Sequence, residues 1–437
     1  MTAVLAHVHS FGLQSDCRSN IHFVDEGLVF YPCGSGSVLL SLETGEQQVV
    51  GGAAQGGITA LGLSPNRRLL AVAERNPPDD EGVGTVYMYD VATLKRRKLL
   101  ALPELGSDSI VAIAFSADGK MCLTQGAGPD WTLVLWNIEK AAKALCTVRT
   151  SAPMIGSAHA PPVRQADLCM TDPTLVCVSG DHILRFYRIA EGQLRPLNVN
   201  QKMELQDFMA HAWLPDERVA LGTSTGDVLM LEGLEYHSTL MRPAGDTSER
   251  QAICCMAACG RGFVAGCVAG QLRIYERSDD PQELYRCQKV RMLEASPSGY
   301  PALTSIGVSP GEDTLAISTD TNQLYKVNLG SCDVQREDGG AGLFEHMGAP
   351  SHGPGPIQQT EGSIGGTRSA RINAVDSCIW KPLVATVGAD RTFRLWNYQT
   401  KVTASSLICL QLRFLRLPSD MPLTCDIALQ CDGCLSK

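Results

Sequence analysis

The run Gly222-Thr223-Ser224-Thr225-Gly226 has the spacing of a nucleophile elbow, in which a strand-to-helix turn presents a strained serine to a carbonyl substrate. Its flanks do not supply the helix. Val219-Ala220-Leu221 before it and Asp227-Val228-Leu229-Met230-Leu231 after it are both strand-like, which predicts a hairpin turn. Cys254, Cys255, Cys259 and Cys267 could be drawn as a metal cluster, but structural zinc takes paired thiolates on knuckle turns, and these fall on two successive strand segments. Cys431-Asp432-Gly433-Cys434 is a C-x-x-C without a second pair. His159, His182 and His211 stand apart, at positions that suit cross-strand hydrogen bonds better than proton transfer. No Walker loop, dinucleotide-binding glycine motif or His-Glu-x-x-His occurs. The residues therefore predict no catalytic, cofactor-binding or metal site.

The elements that carry these residues repeat. Gly388-Ala389-Asp390-Arg391-Thr392-Phe393-Arg394-Leu395-Trp396-Asn397 reads as a strand end, a tight turn and a second strand closed by tryptophan, the signature half of a WD repeat. Equivalent strand endings recur at Leu39-Leu40-Ser41, Met88-Tyr89-Asp90, Leu135-Trp136-Asn137, Phe186-Tyr187-Arg188, Met230-Leu231-Glu232, Ile274-Tyr275-Glu276 and Lys326-Val327-Asn328. Their spacing is about 44 to 52 residues until a longer last interval, close to the period of a propeller blade. Earlier strands show the same grammar: Val111 to Phe115 leads into the turn Ser116-Ala117-Asp118-Gly119-Lys120, and Leu303 to Val308 into Ser309-Pro310-Gly311.

The fold class expected is all-β, a WD40-type propeller of seven blades plus an extra repeat, or of eight repeats in one ring. Structural roles fall to the turn carboxylates Asp390 and Asp118, to Thr386, and to Trp396 and Trp136 packing against the next blade. The repeats span residues 1–400. Within them, 338–369 is rich in glycine and proline and is expected to be a flexible insertion. Residues 401–437 lose the turn grammar and form a divergent carboxyl-terminal tail. Val4 to Phe11 reads as a further strand that could latch the ring shut.

Composition agrees with a globular chain of many turns: 44% hydrophobic, 19% charged, 42 glycines. A formal net charge of −9 disfavours nucleic acid and anionic membrane as partners. Lys95-Arg96-Arg97-Lys98 is a basic exception, expected on an outer strand where charge blunts an exposed edge. The 17 cysteines sit largely in apolar runs, and no secretory leader, membrane-length apolar run or Asn-x-Ser/Thr acceptor is present, so a reducing cytoplasmic setting is expected.

Several runs resemble the first propeller of the cilia- and flagella-associated protein 57 family. They include Asn20-Ile21-His22-Phe23-Val24-Asp25-Glu26, Ser64-Pro65-Asn66-Arg67-Arg68-Leu69-Leu70-Ala71, Ala190-Glu191-Gly192-Gln193-Leu194, Ala210-His211-Ala212-Trp213 and Lys381-Pro382-Leu383-Val384-Ala385-Thr386, in family order along residues 20 to 400. That family joins tandem propellers to a long coiled coil and is implicated in placing inner dynein arms and regulatory complexes on doublet microtubules. The resemblance implies a non-catalytic scaffold of the ciliary or flagellar axoneme with protein partners, no small-molecule substrate and no cofactor. The second propeller and heptad-bearing helix of the family have no counterpart in this sequence.

Two other functional classes fit the sequence less well. A cytoplasmic adaptor such as a ubiquitin-ligase substrate receptor commonly has arginine two residues beyond the tryptophan-aspartate pair, where this chain has Glu139 and Gln399. An enzyme would need polar residues converging on the central channel from several inner strands, and those strands read as apolar.

Overall fold

A computed structural model describes residues 9–10, 12–34, 36–50, 57–75, 84–101, 106–139, 142–153, 159–198, 203–215, 217–241, 251–280, 283–293, 300–330, 344–347, 372–378, 380–388, 392–400 and 402–408. Eight antiparallel sheets, each of four strands taken consecutively from the chain, account for its regular structure. The inner strands of the first seven are His22–Asp25, Ile58–Leu63, Ile110–Phe115, Val163–Leu168, Phe208–Leu214, Ile253–Cys259 and Leu303–Val308. The eighth begins with Ile372–Ser377.

Local sequence explains each hairpin. In the turn after Ile110–Phe115, Asp118 Oδ1 accepts from the Ser116 hydroxyl at 2.6 Å and from the Lys120 N–H at 3.0 Å, while Gly119 supplies the left-handed conformation. Second strands are the most enclosed elements, because each is flanked in its own sheet and covered on both faces. Leu175–Gly180 and Gly262–Cys267 are buried at every position.

The arrangement of the sheets decides between seven blades and eight. The buried apolar side chains form seven clusters, and each cluster joins two blades: one to two, two to three, and so on through six to seven. The seventh cluster closes the circle, placing Ala316 and Leu324 of blade seven against Ile21, Phe23, Val29 and Tyr31 of blade one. Polar contacts cross the same seam. The Ser318 hydroxyl donates to Asn20 Oδ1 at 2.9 Å, and the Ser15 N–H donates to Asn322 Oδ1 at 3.2 Å. Residues 14–20 act as a clasp: Gln14 Nε2 also donates to Ile58 O of blade two at 2.9 Å.

The eighth sheet stands outside this ring. Its first inner-strand residue, Ile372, is 53% exposed, whereas the equivalent Ile58, Ile110, Val163, Phe208, Ile253 and Leu303 are all between 0% and 3% exposed. Among the described residues none of its side chains joins an inter-blade cluster. The architecture is thus seven blades plus an extra repeat.

Two boundaries drawn from sequence shift. Phe344–His346, within the segment read as a flexible insertion, is the outer strand of blade seven, and Val402–Ile408, within the segment read as a tail, is the outer strand of the eighth sheet. Outer strands lack the dense apolar pattern of inner ones, so a glycine-rich or featureless context hides them. The strand expected at Val4 to Phe11 lies mostly outside the described residues.

Candidate functional site

Seven inner strands converge on an axial channel. In blades two to seven the register shifts between the first and third residues of the inner strand, a bulge at its second residue. A bulge re-aims the side chain it contains. The bulged residues Arg164, Met209, Cys254 and Thr304 line one mouth of the channel together with Arg18 from the clasp. Toward the other end lies a wider cavity of about 420 Å³, bordered by His22, Phe23, Gln165, Asp167, Met256 and Ile306. The channel therefore carries polar groups where the sequence suggested an apolar lining. Their bulged or alternate placement is invisible to a reading by apolar content.

Charge at the mouth is unevenly matched. Arg164 clamps Asp207 with two hydrogen bonds, Nε to Oδ1 at 2.8 Å and Nη2 to Oδ2 at 2.6 Å. Arg18 crosses from blade one to blade five, where Nη1 donates to Met209 O at 3.0 Å. Burial, then the neighbouring Arg164 cation, lower the Arg18 pKa to about 10, so it stays charged at neutral pH.

Ser179, His211 and Asp167 make the one arrangement among the described residues that looks like a nucleophilic triad. Ser179 Oγ and His211 Nδ1 share a hydrogen bond of 2.7 Å, and Asp167 Oδ2 lies 3.7 Å from His211 Nε2. Ser179 and His211 are 0% and 1% exposed, so no substrate reaches the serine. Burial lowers the His211 pKa to about 3, which removes the basicity that proton abstraction needs. Gln165 completes the link: its Oε1 accepts from the His211 N–H at 3.0 Å, and its Nε2 donates to His211 O at 2.9 Å and to the Asp167 carboxylate. The cluster ties the inner strands of blades four and five.

Trp136 Nε1 donates to Thr124 Oγ1 at 2.8 Å inside the cluster between blades two and three. Trp396 Nε1 donates to Thr386 Oγ1 at 2.6 Å, the same pairing repeated in the eighth sheet. Asp118 occupies the turn between first and second strands, held below the usual carboxylate pKa by the Ser116 hydroxyl and then the Lys120 N–H. Asp390 lies outside the described residues, as do Cys431 and Cys434. Ser224 sits in the turn joining Arg218–Thr223 to Val228–Glu232, a hairpin with no helix to form an elbow.

Cys254, Cys255 and Cys259 lie on one strand, with Cys267 on the next. Burial raises the Cys254 thiol to about 11 and Cys255 well above the ordinary range, the opposite of metal-bound thiolate. No group of three or more His, Cys, Asp or Glu among the described residues is arranged to hold a metal. The basic run Arg96–Leu100 is the outer strand of blade two. There Arg97 pairs with Asp90 at 3.0 Å, Lys98 Nζ donates to Ile138 O, and Arg96 lies over the Tyr87 ring at 5.2 Å.

No family model matches the chain. Mouse cilia- and flagella-associated protein 57 is 27% identical over 445 residues, covering 91% of this chain and 33% of that protein. Cilia- and flagella-associated protein 57 C of Tetrahymena thermophila is 22% identical, covering 92% and 34%. Cilia- and flagella-associated protein 44 of Chlamydomonas reinhardtii is 30% identical over 55% of this chain and 13% of its own length. The chain thus spans about a third of the relatives it matches along its length. Among solved structures, U3-55K superimposes with a TM-score of 0.53 at 13% identity, over 72% of this chain and 90% of that one. A chain of the mitotic checkpoint complex does so with 0.55 at 11% identity, over 75% and 95%. Those identities speak to the fold alone. Ring geometry, the repeated tryptophan pairing and these comparisons together identify the chain as a WD-repeat β-propeller similar along nine-tenths of its length to the amino-terminal portion of cilia- and flagella-associated protein 57.

Proposed function

We propose that this chain is a non-catalytic scaffold of motile cilia and flagella, whose propeller holds axonemal proteins in place. The observation that carries the proposal is sequence similarity running through the whole ring to proteins named for cilia and flagella. The geometry supports the non-catalytic part, since the triad-like cluster is sealed between blades and holds a histidine too acidic to serve as base. A propeller offers loops and rims to several partners at once. The partners proposed are inner dynein arm or regulatory complex subunits on doublet microtubules, and the location is the axoneme.

Fractionation of isolated cilia into membrane-matrix, salt-extracted and residual axonemal pools tests this. Recovery with the axoneme after detergent, and release with dynein arms or later, is the expected result. Absence from cilia, or recovery in the soluble matrix alone, would remove the ciliary assignment.

A further inference from the structure

The channel mouth contains two guanidinium groups and one carboxylate that acts on them. Asp207 gives both oxygens to Arg164, so Arg18 has no carboxylate of its own. Among the described residues its planar fork donates a single hydrogen bond, to Met209 O. A guanidinium has five N–H donors, and holding it partly buried without an anion of its own is costly. Arg18 and Arg164 both border the same cavity of about 40 Å³, together with Met209, Cys254 and Thr304. That cavity has room for the head of one side chain. It opens at the end of the channel where the inner strands begin.

We propose that this mouth is a carboxylate-binding site, in which the Arg18 fork, backed by Arg164, receives an acidic side chain or the terminal carboxylate of a partner protein. A carboxylate presents two oxygens to the planar fork, the geometry in which arginine binds best. Its single negative charge balances the single excess positive charge, which a phosphate dianion would exceed. The overall charge of −9 also weakens the approach of polyanions, leaving a local cation inside an acidic molecule as a selective contact for one carboxylate. This deepens the scaffold reading and rests on it, since the ligand is taken to belong to a protein partner.

The test uses the whole chain at constant ionic strength with five probes: acetate, inorganic phosphate, a peptide blocked at both ends with one central glutamate, its glutamine counterpart, and a neutral peptide with a free carboxyl terminus. Calorimetric titration and thermal melting report binding. Acetate and at least one carboxylate peptide are expected to bind and to raise the melting temperature, while the glutamine peptide does neither. Which peptide binds identifies the source of the carboxylate. Arg18→Gln is expected to weaken binding about tenfold or more without lowering the melting temperature of the free protein, because it removes a cation that lacks a counter-ion.

Should that variant fail to fold, Arg18→Lys retains the charge without the fork and is still expected to weaken the bound peptide. Failure of every carboxylate probe to bind, binding of inorganic phosphate alone, or equal binding by wild type and a folded Arg18 variant would overturn the site. A chain that ignores carboxylates yet fractionates with axonemes loses this mouth and keeps the scaffold reading. One that binds carboxylates but is absent from cilia keeps the mouth and loses the ciliary assignment.

Discussion

Trp136 and Trp396 make the same bond in different surroundings. Both indoles donate to a threonine hydroxyl of the neighbouring strand, but Trp136 belongs to a cluster that joins two blades of the ring, and Trp396 belongs to the sheet outside it. Trp136→Ala is expected to destabilise the ring by about 3 to 5 kcal/mol through lost packing, and Thr124→Val by about 1 to 2 kcal/mol through the orphaned indole N–H. Trp396→Ala should leave the main unfolding transition in place, which calorimetry would show by comparing the three variants.

Histidine burial adds a pH dependence at the same scale. His211 and His22 are lowered by burial to about 3 and about 4, so the unfolded chain binds protons between those values and 6.5 that the folded chain refuses. Their contribution to stability is present above pH 6.5 and is lost as pH falls through that window. Asp167, raised by burial to about 6, opposes the trend, because its protonated form is favoured in the fold between 3.8 and about 6. His211→Gln is expected to flatten the dependence of unfolding free energy on pH between 6.5 and 4.5, by up to about 1.4 kcal/mol per pH unit. Denaturant titrations across that range would measure it, and an unchanged slope would mean that the ring takes a proton in the folded state.

At the scale of elements, the closest approaches between neighbouring blades depend on glycine. Gly226 has φ +85, and a methyl group there would sit 2.3 Å from Gln251 O, while its own carbonyl accepts from Arg273 Nη1 at 2.9 Å. Gly226→Ala is therefore expected to cost about 1 to 3 kcal/mol or more, read as a lowered melting temperature. The motif that imitates a nucleophile elbow requires its last glycine for packing between blades, with no role in chemistry. Asn20→Ala should cost about 1 to 3 kcal/mol, since it removes two hydrogen bonds at the closing seam, one accepted from the Ser318 hydroxyl and one donated to Gln14 O at 2.9 Å.

Strands, hairpins and the repeat were legible because they are local: apolar alternation and turns such as Ser116 to Lys120 act within ten residues. Outer strands were legible only in part, because one face meets solvent and constrains composition little, as in Arg96–Leu100 and Lys143–Arg149. Arg18 gave no sequence signal at all. Its significance arises from a contact with Met209, distant in the chain, which no spacing rule anticipates.

For the whole molecule the consequence is a ring that closes on itself, with seven interfaces shared by seven blades and an eighth sheet beside it. A blade cannot bury both faces alone, so the exposed Ile372 and Val375 mark a sheet that lacks the neighbours its fellows have. The clasp at residues 14–20 and the seam of Ile21 and Phe23 with Ala316 make the ring independent of that sheet. The measurement that tests this most directly is the thermal unfolding of the full chain against one that ends at residue 371. The shortened chain is expected to keep a single cooperative transition at the same temperature. Loss of that transition, or a fall of many degrees, would place the eighth sheet inside the ring and contradict the seven-blade closure.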